Sequence, residues 1–188
     1  MNRDTRIAIA TLAVALACAL LQATGAESYL RYDRYAIGDG EVWRLVSGHF
    51  VHLGTAHLAV NVAGLALVAL LVGRHLSLRA WGATLLVCCL VTAGGLLWLS
   101  PNVRWYVGLS GVLHGLLIAG AAHAARRGPE RTFNAVVLAI VGAKLGWEQF
   151  VGALPGTSRL AGGSVIVDAH LFGAVGGLAV AVLLLMRR

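Results

Sequence analysis

A serine hydroxyl becomes a strong nucleophile only when a base takes its proton, and a neutral imidazole, with an ordinary pKa of about 6.5, does this near neutral pH. This chain of 188 residues carries both groups inside apolar sequence: Ser110 and His114 open one apolar run, Asp168 and His170 open another, and His52, His57 and Asn61 open a third. Charged side chains within a bilayer cost about 2.5–3.5 kcal/mol each on insertion scales, so polar groups there face a cavity or a partner. His57 and Asn61 are spaced i, i+4 and stack on one helix face, as do Ser110 and His114. Acyl transfer also needs donors held ready for a developing oxyanion, and the Ser110 backbone N–H with the side chains of His57 and Asn61 are of that type. Ser110 as nucleophile and His170 as base complete the set. Glycines at 108 and 111 permit a sharp turn into the helix and leave space around the hydroxyl.

The elements that position these groups are membrane spans. Hydrophobic side chains make up 59% of the chain, charged ones only 12%, and mean hydropathy is +0.80, far more apolar than a soluble domain. A span needs about 20 apolar residues. Apolar runs fall at about 7–24, 53–73, 80–99, 108–125, 133–152 and 167–186, which predicts one all-α membrane domain over 1–188, a bundle of six transmembrane helices with no room for a soluble domain. The net charge of +7 belongs to the membrane faces rather than to a nucleic-acid site. Cys18, Cys88 and Cys89 lie in apolar runs as small hydrophobes. No cofactor or metal is expected.

With the N-terminus cytoplasmic, the inside segments hold Arg3, Arg6, Arg74, Arg79, Arg126, Arg127, Arg131, Arg187 and Arg188, against Arg31, Arg34, Arg44, Arg104 and Arg159 outside. This asymmetry places both ends inside by the positive-inside rule. The second, fourth and sixth spans then enter from the outer face, and their polar groups lie at similar depth. The first span also reads as a signal peptide, with Arg3 and Arg6 before an apolar centre and Thr24-Gly25-Ala26 after it; its removal leaves the orientation unchanged. The connection 25–51, with Tyr29, Tyr32, Tyr35 and Trp43, suits the headgroup zone, and Trp81, Trp98 and Trp105 suit the interfacial belt.

Four separated motifs occur in order: Trp43-Arg44, His52-xxxx-His57-xxx-Asn61, Gly108-Leu109-Ser110-Gly111, and Ala169-His170-xx-Gly173-xxx-Gly177. Together they resemble the rhomboid intramembrane serine proteases over nearly the whole chain. The resemblance implies a Ser110/His170 dyad without an acidic third member, and an oxyanion hole that includes His57 and Asn61. Within that family, the run from Gly108 to Gly115 and the motif Lys144-xx-Trp147-Glu148 look most like rhombosortase. That likeness implies single-span substrates with a C-terminal Gly-Gly motif, an apolar span and a basic tail, cut at the bacterial inner membrane on its periplasmic side. One departure is His114, four residues after the nucleophile, where many rhomboids carry a tyrosine that packs on the catalytic imidazole.

Other roles are assigned from position. His52, Gly108, Gly111, His114, Gly173 and Gly177 shape the site, His52 by bonding the first loop. Lys144 and Glu148, spaced i, i+4, neutralise each other in the fifth span, with substrate reading as their functional alternative. Asp168 points to a different helix face from His170 and is left out of the site, and His49, His75 and His123 belong to loops or interfaces. Two rival functions use the same residues: a non-catalytic rhomboid-like binder of membrane helices, and a proton or metal pathway through His52, His57, His114, Asp168 and His170.

Overall fold

The computed structural model describes residues 2–126 and 130–186, so Arg127, Arg187 and Arg188 of the charge comparison lie outside the described residues. The first helix, α1 (Arg3–Ala23), is capped by the Asn2 side chain, which accepts from the Thr5 N–H at 2.8 Å. Three short helices follow, α2 (Glu27–Leu30), α3 (Arg34–Gly38) and α4 (Arg44–Ser47). Next come α5 (Thr55–Val72), a 3-10 turn at Gly73–His75, and α6 (Leu78–Leu99). The second half contains α7 (Ser110–Ala125), α8 (Arg131–Phe150), the short α9 (Thr157–Ala161) and α10 (Val167–Met186).

The six long helices coincide with the six apolar runs to within a few residues. Among the described residues, four stretches are long and apolar enough to cross a membrane: Arg3–Ala23, Thr55–His75, Leu78–Leu99 and Val167–Met186. The other two fall short for different reasons. Helix α7 has 16 residues, about 24 Å at 1.5 Å per residue. Helix α8 is long enough but carries Lys144 and Glu148 within its apolar sequence.

Helix α7 is the centre of the bundle, packing against α5, α6, α8 and α10. Its apolar sequence is therefore enclosed by protein, with Val112, Leu116 and Ala121 buried against Leu65, Val72 and Cys88. Helix α1 lies outside, against α5 and α6, with Ile7 and Cys18 buried. Trp81 is also buried in this core, contrary to its expected place in the interfacial belt, whereas Trp98 is 77% exposed.

The connection 25–51 folds into a compact plug against the bundle, with Tyr32 buried and Tyr29, Tyr35 and Trp43 exposed. Arg44 is buried; it pairs with Glu41 at 2.5 Å and donates to the carbonyls of Ser28 and Arg31, each at 3.0 Å. Arg34 donates to the carbonyls of Leu96, Leu97 and Ser100, capping the C-terminus of α6 with a cation where the helix dipole is negative. The architecture also departs from all-α at one point. Strands β1 (Tyr32–Asp33) and β2 (Trp105–Tyr106) pair antiparallel, with Tyr32 opposite Tyr106, and tie the plug to the segment leading into α7.

Candidate active site

The approach to Ser110 is set by the backbone. Gly108 has φ +115°, a region L side chains rarely adopt, and its N–H donates to the Gly48 carbonyl at 3.1 Å. The His57 ring covers the same spot: a Cβ on Gly108 would lie 2.7 Å from its Cε1. Tyr106 donates its hydroxyl to the Gly108 carbonyl at 2.6 Å and so holds the turn. Burial pushes that phenol up to about 12, opposed by hydrogen bonding to the Ser110 side chain and the Gly111 backbone, so it stays a donor through the physiological range. The chain then enters α7 with Ser110 as its first residue. The N-cap residue Leu109 makes no side-chain cap bond, so first-turn N–H groups other than that of Gly111, which faces the Tyr106 oxygen, are available to a ligand together with the positive end of the dipole.

Glycines bring α10 to this turn. A Cβ on Gly111 would lie 2.5 Å from the Ala169 carbonyl oxygen, and Gly173 and Gly177 sit directly on the backbones of Gly111 and Gly115. The close approach places His170 Nε2 3.0 Å from Ser110 Oγ. On the far side of the imidazole, Nδ1 lies 2.9 Å from Glu148 Oε2. A carboxylate only accepts, so Nδ1 carries the proton and Nε2 presents its lone pair to the serine. Lys144 Nζ is 3.4 Å from the same Nδ1, but both are donors, and its true partner is Glu148 Oε1 at 2.7 Å.

His114 does two things at once. Its Nδ1 donates to the Ser110 carbonyl at 2.7 Å, and its ring stacks on His170 with centroids 4.3 Å apart and planes inclined by 23°. The His114 imidazole thus supports the His170 ring from one face and holds the Ser110 carbonyl.

On α5, the Leu53 N–H donates to His57 Nδ1 at 3.3 Å, which leaves the proton of the neutral ring on Nε2, beside Gly108. Asn61 donates to the His57 carbonyl at 3.0 Å, and its Oδ1 has no partner among the described residues. His52 does not bond the first loop as expected. Its ring stands edge-on to His57 at 5.1 Å, and neither nitrogen has a partner among the described residues. Burial, with a smaller contribution from His57, holds it down to about 4, so the ring is neutral and acts by shape. His49 is buried, with Nε2 donating to the Cys89 carbonyl at 3.0 Å. Asp168 is engaged elsewhere, accepting from Ser100 Oγ at 2.5 Å.

Ser110, His170, His57, Asn61, His114, Lys144 and Glu148 line one cavity of about 830 Å³. It lies between α5 and α8, which both flank α7 but pack little against each other, and Thr157 and Ala161 of α9 add to its lining. Donor atoms of His114, Glu148 and His170 come within 4.8 Å of one another and are the one cluster among the described residues that could hold a metal ion. Lys144 places a fixed cation against that carboxylate, which works against a second one.

The apolar helices make this a multi-pass membrane protein, with a hydroxyl–imidazole pair facing a cavity between its helices. The family model described as Rhomboid domain matches residues 39–187, well over half of the chain, and the chain belongs to the rhomboid family. Members of that family are generally intramembrane serine proteases. No curated relative matches the chain. Of the residues singled out in the sequence, His57, Asn61, Ser110, His114, Lys144, Glu148 and His170 line the cavity, whereas His52, Gly108, Gly111, Gly173 and Gly177 lie behind its lining and Asp168, His49, His75 and His123 lie apart from it. Glu148 was legible as the partner of Lys144 but not as the partner of His170, because nothing in one chain's spacing relates positions on α8 and α10.

Proposed function

We propose that this protein is an intramembrane serine endopeptidase with six spans, both termini cytoplasmic and a site opening to the periplasmic face of a bacterial inner membrane. The observation that carries the reading is the 3.0 Å contact between Ser110 Oγ and a His170 Nε2 whose lone pair faces it. In this reading Oγ attacks the scissile carbonyl while Nε2 takes its proton. The tetrahedral oxyanion lies against the α7 N-terminal amides, with His57 Nε2–H and Asn61 Nδ2–H as further donors. Collapse transfers the proton from His170 to the leaving amine and leaves an acyl-enzyme on Ser110. Water, deprotonated by the same imidazole, then releases the new carboxylate.

The substrate is a single-span membrane protein laid into the gap between α5 and α8, with its scissile bond at a Gly-Gly tail. Such a bond suits a site that needs an unwound strand, since glycine is a poor helix former by about 1 kcal/mol relative to alanine. The rhombosortase-like motifs support this substrate class. The test is co-expression with a reporter ending in Gly-Gly, an apolar span and an arginine cluster. Cleavage is expected with the wild type and absent with Ser110→Ala or His170→Ala; undiminished cleavage with Ser110→Ala would overturn the mechanism. Replacing Gly-Gly by Val-Val in the reporter is expected to slow cleavage at least tenfold, and equal rates would overturn the substrate class.

A further inference from the structure

We propose that Glu148 is a positioning residue for His170, forming a Ser110–His170–Glu148 triad braced by Lys144; the inference rests on the reading of Ser110 and His170 as nucleophile and base. The resemblance to rhomboid proteases implies a dyad, and a lysine–glutamate pair one helical turn apart would account for both charges on α8 without reference to the site. The contacts go further. The Glu148 side chain is 1% exposed, and its two oxygens are divided between two partners: Oε1 takes Lys144 Nζ at 2.7 Å, and Oε2 takes His170 Nδ1 at 2.9 Å across the interface with α10.

The division has a chemical consequence. A neutral imidazole has two tautomers, and only the one with its proton on Nδ1 offers a lone pair to Ser110. The carboxylate selects that tautomer because it can only accept. It also fixes the ring plane, which His114 supports from one face by stacking at 4.3 Å. When Nε2 takes the serine proton, the new imidazolium stays bonded to an anion. The other polar groups facing the ring do not replace it. Lys144 is a donor, Ser110 is the reacting group, His114 bonds the Ser110 carbonyl, and Asp168 is held by Ser100. Lys144 completes the arrangement by holding the second carboxylate oxygen, which keeps Oε2 aimed at His170.

This arrangement makes an asymmetric prediction for Glu148→Gln. Lys144 needs an acceptor, so the glutamine oxygen turns to it and the amide N–H₂ faces His170 Nδ1. The ring must then accept at Nδ1 and carry its proton on Nε2, the tautomer useless to Ser110. In full-length protein reconstituted in liposomes with the Gly-Gly reporter, kcat is expected to fall about 10⁴-fold, the size seen when a triad carboxylate is replaced by its amide, with KM within about threefold. Glu148→Asp should recover part of the loss. Lys144→Met added to Glu148→Gln frees the glutamine oxygen to face Nδ1 and should raise kcat at least tenfold over Glu148→Gln alone.

Histidine ¹⁵N-labelled protein gives a second readout. A low-field Nδ1–H proton resonance of His170 is expected in the wild type and in Ser110→Ala, and is expected to disappear in Glu148→Gln. Two results would each overturn the triad while leaving the protease reading intact: Glu148→Gln with kcat within threefold of a wild type that Ser110→Ala silences, or a Lys144→Met/Glu148→Gln double variant no faster than the single. If either substitution prevents folding, the wild-type and Ser110→Ala spectra decide the matter, since absence of the Nδ1–H signal from both contradicts the assignment. A wild type without Ser110-dependent cleavage would instead sink the underlying reading.

Discussion

Toward α10, helix α7 presents Gly111 and Gly115 to Gly173 and Gly177, and the two backbones meet with no space for a side chain between them. Toward α5 and α8, the same helix presents Leu113, His114 and Leu117 to a cavity of about 830 Å³. The first face fixes distances: Ser110 and His170 lie beside the glycine contacts, so the reacting atoms inherit the precision of a backbone seam. The second leaves room for another helix or an unwound strand. Precision and access are thus assigned to different faces of one central helix, with Ser110 and His170 where the seam meets the cavity, and a change on either face should have its own signature.

The largest effect is expected at the seam. Gly173→Leu places a side chain where the Gly111 backbone lies, and should cost about 3 kcal/mol or more and abolish cleavage, as read by thermal unfolding in mild detergent and by the reporter assay. Gly146→Leu on α8, where a Cβ meets nothing within 4 Å, serves as the contrast and should leave stability within about 0.5 kcal/mol. Equal losses in the two variants would erase the distinction between the faces. Next in size is Arg44→Ala, which leaves the Ser28 and Arg31 carbonyls without their donor and should destabilise the plug by about 2 kcal/mol. Hydrogen exchange should then rise in residues 25–51 before it rises in α7 and α10.

Acidification should act on the plug and its edge. Burial holds both His49 and His52 down to about 4, below the ordinary 6.5, so between these values the unfolded chain binds more protons than the folded one. Their contribution is complete above about pH 6.5 and is lost as pH falls toward 4, on the order of 2 kcal/mol per ring. His52→Phe should flatten that dependence in a pH series of unfolding temperatures, and an unchanged slope would contradict the assignment. The smallest effect is expected on the open side. Val60→Trp narrows the cavity from α5 and should raise KM about tenfold at nearly unchanged stability. A fall in kcat with KM constant would mean that the cavity does not admit substrate.

The sequence carries one side of this comparison better than the other. Ser110, His114, His57, Asn61 and His170 are conspicuous because a polar side chain in an apolar run needs a reason, and the glycine spacing on α10 marks the face that meets α7. The plug was harder to read, since the tyrosines and tryptophan of 25–51 suit a headgroup layer equally well, and only the folded chain shows Arg34 and Arg44 satisfying distant carbonyls. The shortness of α7 is also hidden, because Gly108 and Leu109 continue its apolar run although the chain turns there. Glu148 shows the limit best. Lys144 accounts for it locally, and the second half of its bonding lies on a helix twenty-two residues away.

Whether Ser110 is a nucleophile activated by His170 is read by labelling with a serine-reactive fluorophosphonate in native membranes, followed by mapping of the modified peptide. A single adduct on Ser110 is expected, lost in Ser110→Ala and slowed at least a hundredfold in His170→Ala. Labelling that persists in Ser110→Ala, or that proceeds at the wild-type rate in His170→Ala, would contradict this assignment.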